Sequence, residues 1–211
     1  MILDSITYMA SSDQPSAKRA AIVGAARTEF FLHGYGATTM SAVAARVGGS
    51  KTTLWAYFPS KQELFAAVVD DLVERFGEAL DVPLDATLPV SAALRQFAES
   101  IMAIVGTPEI IDLHRIVAGE AGRFPELGTL FFERGPKRGK AKLAAYLTTA
   151  MADGRVRPGD PMIAARQFAA LCQAGLHQDR LWGLVIGNDH ARLTADIEAA
   201  IACWTRAWAA S

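Results

Sequence analysis

Residues 38–65 of the chain read TTMSAVAARVGGSKTTLWAYFPSKQELF, and this stretch decides the fold. Thr38 or Thr39 is placed to cap a short helix that ends near Val47, and the glycine pair 48–49 then makes a tight turn into a second short helix. Two short helices joined by a glycine turn form the unit in which the second helix enters the major groove of DNA. The stretch therefore predicts a helix-turn-helix.

The second short helix has clear start and stop signals. Ser50 caps it, the helix runs from Lys51 to Phe58, and Pro59 ends it because proline cannot continue a helix. Ser60 then caps a long helix, and Glu63 completes a capping box three residues later. A chance origin is far less plausible for this whole series of signals than for any one of them.

The exposed face of the second short helix suits DNA. Threonine hydroxyls can reach bases or phosphates, and methyl groups of threonine and alanine can touch the thymine methyl. Aromatic O–H and N–H groups and lysines at helix starts can bind phosphate oxygens. The predicted DNA-binding residues are Thr39, Ser50, Lys51, Thr52, Thr53, Trp55, Ala56, Tyr57 and Lys61. The alternative is that the aromatics belong to a small core and that the threonines and Ser50 are only caps.

Apolar residues recur at helical spacing along nearly the whole chain, which predicts an all-α fold. We expect a flexible tail over 1–16, a three-helix bundle with the helix-turn-helix over 17–62, and a larger α-helical ligand-binding and dimerisation domain over 63–211. Besides the helices named above, the pattern predicts helices at about 17–33, 90–105, 108–121, 124–152, 161–185 and 190–209. The pair 135–136, Gly-Pro, should kink or split the helix over 124–152.

Composition limits the functional classes. The 211 residues carry a formal net charge of −1, so a DNA contact must come from a local patch rather than from bulk charge. No run of about 20 apolar residues predicts a membrane helix, and no signal peptide is apparent, which predicts a cytoplasmic protein without a membrane partner. The two cysteines, Cys172 and Cys203, have no metal-site or disulfide spacing.

Residues 18–66 resemble the DNA-binding domain of the tetracycline-repressor (TetR) family. The matching residues include Phe30, Gly34, Tyr35, Thr39, Val43, Ala44, Gly48, Ser50, Lys51, Leu54, Tyr57, Phe58, Pro59, Lys61, Leu64 and Phe65. The resemblance implies a homodimer that binds double-stranded operator DNA at an approximate palindrome, with no enzymatic activity and no cofactor. The segment from Arg115 to Leu147 resembles the bodies of multidrug-efflux-type regulators, which implies a repressor released by a small apolar or aromatic effector.

Four positions depart from the family pattern. Gly49 stands where the family usually has an apolar residue, and Trp55 replaces the usual tyrosine. Ala56 stands where larger polar or basic residues are common, and Ala42 removes an acidic partner of the second-helix cap. These departures leave the fold unchanged, but they predict fewer polar base contacts and more methyl or water-mediated readout of the operator.

The body offers candidates for the effector site and for the dimer contact. Bundle cores host small molecules, and methionine with aromatics makes an adaptable wall. The predicted ligand-binding residues are Phe97, Ile101, Met102, His114, Phe131, Phe132 and Trp182. The last two long helices should pair with those of a second copy, through Phe168, Leu171, Cys172, Gly175, Leu193, Ile197, Ile201, Trp204 and Trp208. Both sets have ordinary core packing as the alternative.

Catalysis finds little support in the sequence. Cys172 and His177 are five residues apart and do not share a helix face, and no cluster suggests a metal site. The basic run from Arg134 to Lys142 is best interpreted as a solvated helix face. Two other functional classes stay open: a DNA-binding regulator without an effector, whose body serves only dimerisation or partner binding, and an all-helical enzyme. A large internal cavity would argue against the first of these.

Overall fold

The computed structural model of the protein describes residues 14–80, 84–187 and 189–210. These residues form eleven α-helices and one isolated bridge pairing, between Val156 and Ala209, so the all-α prediction is confirmed. The predicted tail, residues 1–16, lies outside the described residues except for its last three, which begin the first helix. None of the helices in the described ranges is long and apolar enough to cross a membrane.

Four helices build the N-terminal part of the molecule: α1 (Gln14–Ala37), α2 (Met40–Val47), α3 (Lys51–Tyr57) and α4 (Lys61–Leu80). We call α1 to α3 the head. Positive φ angles interrupt the helical geometry at two glycines, at 77° for Gly34 inside α1 and at 69° for Gly48 after α2. Side chains other than glycine rarely adopt this backbone region, so glycine is required at both positions. The turn at Gly48 is the one that the sequence predicts.

Hydroxyl caps start the next helices as expected. The Thr39 hydroxyl accepts the N–H of Ala42 at 3.1 Å, and the Ser50 hydroxyl accepts that of Thr53 at 3.1 Å. Thr38 takes a different part, because its buried hydroxyl donates to the carbonyl of Gly34 at 2.7 Å. The bonds of Thr39 and Ser50 satisfy backbone donors that a helix start leaves free, whereas the bond of Thr38 satisfies a carbonyl at the kink in α1.

Seven helices form the body together with α4. They are α5 (Val90–Val105), α6 (Pro108–Glu120), α7 (Pro125–Arg134), α8 (Pro136–Ala152), α9 (Pro161–Gln173), α10 (Leu176–Leu181) and α11 (His190–Trp208). The Gly-Pro pair at 135–136 splits the segment 124–152 into α7 and α8, as expected. Of the turn region that separates α4 from α5, residues 81–83 lie outside the described residues.

The prediction of one continuous helix over 161–185 is wrong. The chain breaks between α9 and α10, where Gly175 adopts φ −103° and ψ −117°. The carboxylate of Asp196, on α11, occupies the space in which a side chain at 175 would begin. It accepts the N–H of Leu176 at 2.7 Å and so caps the new helix. A contact 20 residues along the chain makes this break, and no local pattern encodes it.

Buried side chains separate into two clusters. The first core joins the head to α4, α6 and α7, with Phe30, Phe65 and Leu127 fully buried. The second core packs α5, α8, α9 and α11, and its largest buried side chain is Trp204. The first core crosses the predicted boundary at residues 62–63, so the head shares its interior with part of the body.

Candidate functional site

Helix α3 exposes the face that the sequence assigns to DNA. Lys51, Thr52 and Ala56 are exposed, and 48% of the Trp55 surface is open to solvent. The opposite side is buried through Leu54, in the same core as Val43 and Ala44 of α2. Helix α2 therefore supports α3 from behind, and the exposure of Trp55 argues against its alternative role as a core aromatic.

Four other predicted DNA contacts also have duties within the protein. The hydroxyls of Ser50 and Thr53 lie 2.9 Å apart, while Ser50 also caps α3. Thr39 is exposed at the start of α2, where it serves as the cap. Tyr57 is half-buried and packs against the first core. Only part of each of these side chains is left to face a DNA backbone.

The geometry does not support Lys61 as a phosphate anchor. Its ammonium donates to the carbonyls of Tyr35 at 2.8 Å and Thr38 at 3.0 Å, and it also reaches the carbonyl of Gly36 at 3.3 Å. The ammonium further lies 4.5 Å from the centre of the Tyr35 ring, a cation–π distance. Burial lowers the pKa of Lys61, while the Glu120 carboxylate acts in the opposite direction. The lysine thus fastens the start of α4 to the last residues of α1 and to Thr38.

Glu120 completes this head–body junction, although nothing in the sequence singles this residue out. The carboxylate stands at the end of α6 and accepts the backbone N–H groups of Tyr35 and Gly36, each at 2.5 Å. A charged acceptor makes stronger hydrogen bonds to backbone N–H than a neutral one does. Because 85 residues separate Glu120 from Tyr35, no spacing rule would have brought them together.

A cavity of about 360 Å³ lies inside the body, within the size range of small-molecule sites. Six of the seven predicted ligand-binding residues line it: Phe97, Ile101, Met102, His114, Phe131 and Phe132. Trp182 does not line it, because this residue follows α10 and exposes 65% of its surface. Helix α4 also forms one wall of the cavity, which was not predicted from the sequence. Its lining residues are Val69, Leu72, Val73 and Phe76.

The cavity lies between the two cores. Leu72, Leu113 and Ile110 reach it from the first core, and Phe97 and Met102 reach it from the second. Its wall is almost wholly apolar. A molecule bound there would touch both cores and replace part of the contact between them.

Few polar groups line this cavity. His114 packs edge-on against Phe131, with ring centres 4.7 Å apart, and burial lowers its pKa, so the imidazole stays neutral at pH 7. Lys140, on α8, is half-buried, and its ammonium lies 5.4 Å from the centre of the Phe132 ring. Burial, and after it the charge of Arg166, lowers the pKa of Lys140. The lysine is therefore not simply part of a solvated face, as its basic run suggested.

Most of the predicted dimer residues lie inside the protomer. Six of the nine are buried in the second core, because α9 and α11 turn their apolar faces toward each other and toward α5: Phe168, Cys172, Ile197, Ile201, Trp204 and Trp208. Leu171, Gly175 and Leu193 are half-buried. These six side chains therefore offer little surface to a second copy, since such a contact needs outward-facing residues.

Comparisons with known proteins agree with this architecture. Residues 22–68 match the family described as bacterial regulatory proteins, tetR family, and residues 92–210 match the C-terminal domain of AefR-like transcriptional repressors. The solved structure of the flavonoid-responsive regulator FrrA is 36% identical, with a TM-score of 0.77 over 92% of this chain and 98% of that chain.

Two further proteins show the same relationship. A TetR-family regulator from Pseudomonas syringae pv. tomato is 26% identical, with a TM-score of 0.77 over 95% of this chain and 100% of that chain. The uncharacterized regulator YhgD of Bacillus subtilis is 26% identical over 68% of this chain and 74% of its own length.

The exposed face of α3, which α2 supports from behind, and the helical body together define a helix-turn-helix transcription regulator that binds DNA. The chain belongs to the TetR family of bacterial transcription regulators. Regulators of this family bind DNA and act as dimers.

Proposed function

We propose that this regulator is a repressor that a small apolar or aromatic ligand releases from a palindromic operator. The observation that carries the proposal is the apolar cavity between the two cores, with α4 as one of its walls. A body that served only dimerisation would have no need of such a cavity. The effector-controlled function is therefore favoured over a regulator without an effector.

Helix α4 offers a direct route from the cavity to the head. Its middle lines the cavity through Leu72 and Phe76, and its start is fastened to the head by Lys61. A ligand that separates the two cores would tilt α4 and move the α3 face with it. A coupling of about 1–3 kcal/mol is enough for a useful switch.

The operator contact in this proposal belongs to the exposed part of α3. Lys51 would bind phosphate, while Thr52 and the methyl of Ala56 would face base edges. Two copies related by a two-fold axis would place two such helices on half-sites one or more helical turns apart. An approximately palindromic operator follows from that symmetry.

The dimer would use outward-facing residues near α9 and α11 rather than the buried residues first predicted. Met162 and Ile163 are exposed on α9. The segment between α10 and α11 exposes Trp182, Leu184 and Ile186, the last of these at 98%. Such large apolar side chains in neighbouring exposed positions are typical of interaction surfaces.

Flavonoids are the first compounds to test as effectors. The name of FrrA describes a flavonoid response, and FrrA aligns with nearly all of this chain. A flat aromatic skeleton also suits a cavity walled by Phe97, Phe131 and Phe132.

The test is a mobility shift with footprinting on the DNA upstream of the regulator's own gene, at defined salt and with excess competitor DNA. We expect a protected palindrome and its release by a member of a flavonoid panel. Ala169→Phe fills the cavity from α9, and Ala145→Phe adds the same group at an exposed site on α8. Release should be lost in the first variant and kept in the second. Absence of specific protection would overturn the repressor, and equal release of both variants would overturn the cavity as effector site.

A further inference from the structure

We propose that the cavity is built for an apolar organic anion, whose negative group binds the ammonium of Lys140. This inference rests on the proposed function, because it names the chemical class of the effector that the cavity would take. A carboxylate, a sulfonate or an ionised phenol can supply the negative charge, since all three offer the same charged oxygen acceptor to an ammonium.

Lys140 differs from the basic residues that surround it in sequence. Arg134 pairs with Asp70 at 2.5 Å, and Lys137 pairs with Glu133 at 2.5 Å. No carboxylate within the described residues forms an ion pair with Lys140, whose contact is instead with the Phe132 ring. The lysine that lines the cavity thus has no acidic partner in the described part of the chain.

The surroundings of Lys140 make that charge unfavourable without a ligand. The side chain is half-buried in an apolar wall, and the nearby Arg166 carries the same charge. Among the described residues lining the cavity, Lys140 is the one that is charged at pH 7, because His114 is neutral there. A positive group removed from water gains most from a negative partner when no protein group supplies one.

A neutral ligand of the same shape would leave the positive charge of Lys140 without a negative partner. Its body could fill the apolar space, but it would take more water from the ammonium and return no charge to it. An anionic ligand fills the same space and also pairs with Lys140, so the cavity should prefer the anion. The preference should vanish when the lysine loses its charge.

Two fluorescent probes test this preference directly. Anilinonaphthalene sulfonate is an anion, and phenylnaphthylamine has the same aromatic skeleton without the sulfonate. Both are titrated into the full-length protein and into Lys140→Met, Lys140→Arg and Ala169→Phe. Lys137→Met is the matched control, because it removes a positive charge from the same helix at a residue that does not line the cavity.

We expect Lys140→Met to weaken binding of the sulfonate about tenfold and to change binding of the neutral probe less than twofold. Lys140→Arg should keep the sulfonate affinity, Lys137→Met should leave both probes unaffected, and Ala169→Phe should weaken both. If Ala169→Phe weakens both probes but Lys140→Met leaves the sulfonate affinity unchanged, the cavity stands and the anion site is overturned. If Ala169→Phe affects neither probe, the cavity binds no ligand of this kind, and the proposed effector site fails as well.

Discussion

The two cores of the protomer are built alike but connected differently. Each contains a chain of packed aromatic rings: Phe30, Tyr35 and Phe65 in the first, and Phe168, Trp204 and Trp208 in the second. The first core includes residues of the head, and Lys61 and Glu120 add charged contacts at the head–body junction. The second core packs only body helices. The apolar cavity lies between them. We expect each core to move as a rigid unit, because the cavity leaves the contact between them loosely packed. A ligand can act in that cavity.

The largest effect should follow from breaking the second core alone. Trp204→Ala removes a side chain that is 2% exposed and whose indole N–H donates to the carbonyl of Ala164 at 2.9 Å. We expect the free energy of unfolding to fall by about 3–5 kcal/mol, as measured by urea denaturation followed by circular dichroism. The half-exposed Trp55 is the matched control: Trp55→Ala should lose less than about 0.5 kcal/mol of stability but weaken operator binding. Equal stability losses in the two variants would contradict the packing described above.

A pH effect should come from the buried His177, whose ring centre lies 5.5 Å from that of His114 in the cavity wall. Burial, and after it the charge of His114, lowers the pKa of His177 from 6.5 to about 4. Between these two pH values the imidazole is protonated in the unfolded chain but neutral in the folded chain. The free energy of unfolding therefore decreases as the pH falls from about 6.5 to about 4. The shift corresponds to about 3 kcal/mol. Urea denaturation of His177→Gln across this range should show a flatter profile, while His190→Gln, at an exposed histidine, should keep the wild-type slope. A profile that His177→Gln leaves unchanged would argue against a neutral buried imidazole.

The junction at the first core should respond to Glu120→Gln. The amide keeps the shape of the side chain but loses the negative charge that binds two backbone N–H groups. It offers one neutral acceptor oxygen, and its NH2 group is a donor that cannot accept the second N–H. We expect a loss of about 1–3 kcal/mol in the free energy of unfolding, together with a smaller effector-induced change in operator affinity. The control is Glu133→Gln, since the exposed pair of Glu133 with Lys137 should contribute little. Unchanged stability and unchanged release in Glu120→Gln would show that the junction does not couple the head to the body.

The smallest effect distinguishes two lysines of the DNA-binding region. Lys51→Ala should lower the slope of operator affinity against salt concentration by about one, because an exposed lysine that binds phosphate releases about one counterion. Lys61→Met should lower stability and leave that slope unchanged, since its ammonium is bound to backbone carbonyls. Binding titrations at several salt concentrations would measure both. The reverse outcome would restore Lys61 as a phosphate anchor.

Sequence reasoning succeeded where structure depends on neighbours along the chain. The caps at Thr39 and Ser50 and the turn at Gly48 follow from local backbone chemistry. Among the six cavity residues, the three phenylalanines and Met102 follow from aromatic and methionine composition. It failed where distant segments meet. The break at Gly175 depends on Asp196, and both Lys61 and Glu120 find partners across the head–body junction. For α9 and α11, the apolar stripes were correct, but periodicity alone cannot say whether such a stripe faces its own chain or another copy.

The Glu120 carboxylate also restricts how the chain can change in evolution. A β-carbon at position 34 would lie 2.6 Å from one carboxylate oxygen, and one at position 36 would lie 2.7 Å from the other. A lineage that gains a side chain at position 36 must therefore displace the acid, and a lineage that loses the acid frees that space. Positions 36 and 120 should consequently covary among descendants, whereas position 34 should stay glycine for a second reason, its positive φ. The covariation would record a contact between the head and the body over generations of sequence divergence.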